Sequence, residues 1–122
     1  MQKLVSFFEI PAVDFDRAVK FYETILNIQM ERYDCEEEKM AFFPTEDGVC
    51  PGAISWAKGF NPSVDGVLVS LTCYDVEQTL KLAASIGGKL HHPKTKILAG
   101  SRGYFAIFID SEGNKVGLCS DK

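Results

Sequence analysis

The chain is poor in the residues that make metal and redox sites. Its only two histidines, His91 and His92, are neighbours. Successive side chains of a strand point to opposite faces, so the pair cannot hold one metal ion together, and at most one can face a binding cleft. The four cysteines, at positions 35, 50, 73 and 119, lack Cys-x-x-Cys spacing and the density of a secreted disulfide scaffold, and all are expected to be reduced. Basic clusters are missing too. The 13 Lys and Arg are scattered among 17 Asp and Glu for a net charge of −4, which argues against a nucleic-acid partner. No run approaches the roughly 18–20 apolar residues of a membrane span, and the N-terminus carries no apolar signal region. The expectation is a soluble, cytoplasmic protein with no membrane or nucleic-acid partner.

What is present is a repeat. The stretch VSFFEIPAVDFDRAVKFYETIL near the start and VLVSLTCYDVEQTLKLAASIGG past the middle share an order: strand, Asp-led turn, amphipathic helix. Asp75 follows Asp14 by 61 residues (75 − 14). In the first copy a β-prone strand over 3–10 is stopped by Pro11. Asp14 then caps a helix over 15–26 whose apolar residues, Phe15, Ala18, Val19, Phe21, Tyr22, Ile25 and Leu26, recur at helical spacing. Strands are predicted at 29–34, 40–43 and 52–57, and a turn-rich linker over 59–66.

The second copy predicts a strand over 67–73, a helix over 76–86 closed by Gly87-Gly88, and strands at 89–92, 104–109 and 115–120. Asp110 to Asn114 forms the hairpin turn between the last two. Aligning Gly48 and Gly52 with Gly113 and Gly117 extends the repeat into the hairpins. With 46% hydrophobic residues in 122, the chain has room for one domain over 1–122. The fold class is α+β: two tandem βαβββ modules, about 1–60 and 66–122, forming a curved mixed sheet around a cleft.

The Asp-x-[Asp/Glu] opening of each helix, the FYETIL that ends the first, and the closing IDSEGNKVGL resemble the vicinal oxygen chelate superfamily, which includes glyoxalase I, bleomycin resistance proteins and extradiol dioxygenases. The resemblance covers essentially the whole chain. It implies paired βαβββ modules, a homodimer, and, in the metal-dependent members, four inward-facing side chains on the modules' first and last strands. These hold a divalent cation that acts as a Lewis acid.

Carried over by position, those four places fall at Phe7, Leu68, Gly117 and at or near Gly52. None is a histidine or carboxylate, so the usual metal centre is expected to be absent and no cofactor is implied. Glu9 shares a face with Phe7. It is either a carboxylate of raised pKa among apolar neighbours, serving as a general base or ligand anchor, or the partner of Arg17, Arg102 or Lys115.

The remaining ligand-binding candidates are Phe7, Leu68, Ile54 and Trp56, an apolar set suited to a hydrophobic molecule, together with Ser70, Tyr104 and Cys119. Trp56 could equally fill the interior, and Cys119 is either a nucleophile or a small buried hydrophobe. The segment around Gly100 and Gly103, with Lys94, Lys96 and Arg102, reads as a loop able to close over a ligand or simply as a solvated one.

Two functions follow from the resemblance. One is metal-free enclosure of a small hydrophobic or amphipathic molecule, as in bleomycin-resistance-type proteins. The alternative is a lyase or isomerase of the lactoylglutathione-lyase type, acting on an α-oxo compound with Glu9 as base or metal ligand. A third reading is an interaction module whose cleft has filled, which glycines at two ligand positions disfavour.

Overall fold

A computed structural model describes residues 4–98 and 103–122. The first module contains β1 (Phe8–Pro11), α1 (Phe15–Leu26), β2 (Glu31–Asp34), β3 (Glu38–Phe42) and β4 (Gly52–Ala57). The second contains β5 (Ser70–Thr72), α2 (Val76–Ser85), β6 (Lys89–Lys96), β7 (Tyr104–Ile109) and β8 (Lys115–Ser120). Each module is a four-stranded mixed sheet, ordered β1-β4-β3-β2 and β5-β8-β7-β6, so the βαβββ repeat is the architecture.

The two Asp residues start the helices as expected. The Asp14 carboxylate accepts from the Arg17 N–H, and Asp75 accepts from Glu77 and Gln78, satisfying amide groups that have no partner within the helix. Gly87, at φ +105°, makes the left-handed turn that ends α2. Helix α1 buries Phe15, Ala18, Val19, Phe21, Tyr22 and Ile25. Phe21 lies 5.9 Å from Phe108 of the other module, and Tyr22 meets Phe43 edge-on at 6.1 Å. A single apolar cluster thus crosses both modules on the helix side of the sheets.

The strands differ from expectation at their ends. β1 begins at Phe8 rather than at residue 3, and it includes Pro11, which pairs with Ser55. Proline is tolerated because β1 is a sheet edge. The amides of Phe8 and Ala12 donate toward β4, to Pro51 O and Ser55 O; by alternation the Pro11 nitrogen faces away from the ladder, where no hydrogen is required. β5 has only three residues. β6 continues through Pro93 to Lys96, with register shifts against β7, so Lys94 and Lys96 lie on a strand and not in the expected loop.

The modules are also joined by the turn after β7. Buried Asp110 accepts from the Tyr22 hydroxyl at 2.6 Å, and Asn114 donates to the Pro11 carbonyl at 2.8 Å and to Asp110 at 3.0 Å. Glu112 accepts from the amides of Val13 and Asp14 and from the Arg17 guanidinium, the last at 2.7 Å. Sequence reading recognised IDSEGN as a hairpin turn; its second role, as the clasp between modules, needs the tertiary fold.

Candidate functional site

Register sorts the strand residues onto two faces. Ile10 pairs with Ile54, and Ile54 with Ala41; all three are buried in the apolar cluster, so they mark the face under the helices. Glu9 pairs with Ala53, Pro11 with Ser55, and Met40 with Ser55, marking the open face. The Ser55 hydroxyl donates to the Glu9 carboxylate at 2.8 Å across it. Phe7 is packed beside Phe42, ring centroids 6.3 Å apart, on that same side.

This sorting corrects three expected ligand-lining residues. Ile54 is 0% exposed in the core. Trp56, two residues on, shares its face, where Lys39 lies 5.7 Å over the ring. Tyr104 pairs with Ser120, whose hydroxyl accepts from the first amide of α2; it too faces the helix side, beneath the Lys94 ammonium. A strand alternates faces strictly, so a shift of one residue in the assumed alignment exchanges inside for outside.

The shift can be located. Glu9 and Ser70 are related by the 61-residue offset, and their ladder partners are Ala53 and Gly117. Ala53, not Gly52, is therefore the counterpart of Gly117. Gly52 belongs to the helix face, where a Cβ would run into the Phe8 carbonyl and ring. A Cβ at Gly117 would collide with the Ser70 hydroxyl, so Ser70 occupies the space beside the strand. Cys119, paired with Phe105 and Thr72, completes this open face in the second module. His92 stacks on Phe105, centroids 5.1 Å apart and planes within 6°, and its Nε2 is 3.0 Å from the Thr95 hydroxyl; His91 is exposed.

No ladder joins β1 to β5, the inner edges of the two sheets. The gap between them opens into a pocket at either end. One, about 360 Å³, is bounded by Phe8 to Pro11, by Phe60, Val67 and Val69, and by Asn114 to Val116. The other, about 310 Å³, is bounded by Ser70 to Thr72, Phe8, Phe43 and Leu26. Because Ser70 to Thr72 are the repeat counterparts of Glu9 to Pro11, the pockets are related by the internal symmetry. Phe7 and Leu68 stand partly exposed at the approaches to the two strands.

The sequence match of the glyoxalase/bleomycin resistance protein/dioxygenase superfamily spans residues 4–118. The chain belongs to that superfamily. Among solved structures it is similar to a glyoxalase/bleomycin resistance protein/dioxygenase domain from Frankia sp. EAN1pec, with 14% identity, a TM-score of 0.73 and 100% of each chain covered. It is also similar to glyoxalase I of Leishmania major, with 15% identity, a TM-score of 0.71, and 98% and 88% covered. Against glyoxalase I of Zea mays the identity is 19% and the TM-score 0.68, and the match takes in 95% of this chain but 45% of the maize chain. It spans less than half the length of the maize enzyme. At these identities the likeness is one of fold. No match is found among curated proteins.

Set in the superfamily fold, the residues do not suit its metal centre. Phe7, Leu68, Ala53 and Gly117 offer no nitrogen or carboxylate donor, and the Ser70 hydroxyl already fills the side-chain space at 117. Among the described residues no three of His, Cys, Asp and Glu are grouped as a metal set. Glu9 itself is exposed and not enclosed by apolar neighbours, and its partner is Ser55 instead of a cation. Arg17 is engaged by Glu112, while Arg102 and Gly100 lie outside the described residues. Sequence reading missed Ser55, Phe42, Val67 and Val69 in this region. The ladder offset of 64 residues (117 − 53) makes Ser55 the counterpart of Cys119, where the glycine offset of 65 (113 − 48) points to Ile54.

Proposed function

We propose that this protein binds a small hydrophobic or amphipathic molecule in the crevice between β1 and β5, without the metal that many of its relatives use. The observation that carries this reading is the unpaired seam: two sheet edges separated by a gap whose walls are mostly apolar. Pockets of about 360 and 310 Å³ match the lower end of small-molecule sites. The function is proposed for a single domain in a cytoplasmic homodimer. Among the described residues no helix is long and apolar enough to cross a membrane, and Leu4, Val5 and Val67 stand exposed, giving a second copy apolar surface to cover.

The test is a thermal-shift screen of hydrophobic and amphipathic small molecules, followed by native mass spectrometry. A specific ligand at a hundred times its Kd should add about 2.7 kcal/mol of stability and appear at one molecule per chain. Stoichiometric nickel, zinc or iron in dialysed protein would overturn the metal-free reading, and a screen without a single saturable shift would overturn the binding reading. The exposed Glu9 carboxylate in the larger pocket supports a second reading, proton abstraction from an α-oxo substrate. Its signature is turnover of a hemithioacetal that Glu9→Gln abolishes.

A further inference from the structure

The larger pocket at the seam carries one charge of each sign. Glu9 of β1 and Lys115 at the start of β8 both line it. The ladder places Lys115 opposite Ile109, in step with Gly117 and Cys119 on the open face. Of the neutral polar residues in the wall, Asn61, Ser63 and Asn114, Asn114 is already matched: it donates to Pro11 and Asp110 and accepts from the Ser63 amide. The two charges are not. One Glu9 oxygen accepts from Ser55, which fixes the carboxylate and leaves its other oxygen available. Neither Glu9 nor Lys115 forms an ion pair with any described residue. Phe60, Val67 and Val69 supply an apolar wall beside Phe8, Ile10 and Val116.

Charge placement of this kind discriminates by repulsion as well as attraction. A bare amine entering the pocket would gain Glu9 but face the Lys115 ammonium, and a bare carboxylate would gain Lys115 but face Glu9. A ligand with both groups satisfies both walls and leaves neither charge desolvated without a partner. We propose, resting on the small-molecule reading above, that the pocket takes a small zwitterion with an apolar substituent. Its ammonium lies toward Glu9, its carboxylate toward Lys115, and its hydrocarbon part lies against Val67, Val69 and Phe60.

Four probes that share one ring and differ in charge test this by calorimetry: L-phenylalanine, 2-phenylethylamine, 3-phenylpropionate and 2-phenylethanol. The zwitterion should bind at least tenfold more tightly than each of the other three. Glu9→Gln should cost the zwitterion about tenfold and let the acid gain on it; Lys115→Met should do the same for the amine. Both substitutions are at side chains outside the core, and circular dichroism checks that each variant is folded. If the alcohol or either singly charged probe matches the zwitterion, or if neither substitution changes the order, the zwitterion proposal is overturned while the small-molecule reading stands. Failure of all four probes, together with the absence of any shift in the wider screen, overturns both.

Discussion

Glu112 sits in a surface turn of the second module, yet two amides and both donating nitrogens of one guanidinium from the first module converge on it. Burial pushes its carboxyl up, and the Arg17 guanidinium with the Asp14 and Val13 amides outweighs this, holding the pKa below the ordinary glutamate value. A carboxyl whose folded pKa is depressed stabilises fully above its unfolded pKa and loses that contribution as pH falls through the folded one. Glu112→Gln should therefore cost about 2 kcal/mol at neutral pH, a charge-assisted bond's worth. The gap from the parent protein should close as thermal melts are carried below about pH 4, near the unfolded glutamate value. A gap independent of pH would show that the carboxylate charge is not what binds the modules. Nothing in the residue sequence alone marked this glutamate, because its donors lie some ninety residues away. Asp14, whose donor is the Arg17 amide three residues off, was plain from the sequence.

Elements were legible where their signals are local. Both helices follow from spacing and caps within a dozen residues, and the order of strands follows from the repeat. Which face a strand presents depends on its register with a distant partner, and here the glycines misled: Gly48 and Gly113 occupy matching turns, but the loops differ in length by one residue relative to the ladder. The close approach of β5 to β8 gives that register a measurable consequence. Gly117→Ala should destabilise by about 1–3 kcal/mol through overpacking against Ser70, and Ser70→Ala should recover part of that loss. A double-mutant cycle with coupling under about 0.5 kcal/mol, read from urea unfolding, would mean that the two strands do not meet this way.

The two modules share a core, Phe21 and Tyr22 of one packing against Phe108 of the other, with the Asp110–Tyr22 bond at its rim. The whole chain should accordingly unfold in one transition. Trp56 fluorescence reports the first module alone, so its thermal midpoint should coincide with that of far-UV circular dichroism, and a separation of several degrees would show independent modules. Sharing on the helix side is also what lets the opposite side remain unzipped, since the sheets need no ladder between β1 and β5 to stay together. Two adjacent free edges are a hazard in principle: an extended segment of another chain could add to them and start a growing aggregate. Pro11 removes an outward donor from β1 at the point where Asn114 of the second module already occupies its outward carbonyl. That edge is therefore a poor template for an incoming strand. The gap can stay open to solvent without recruiting polypeptide to fill it.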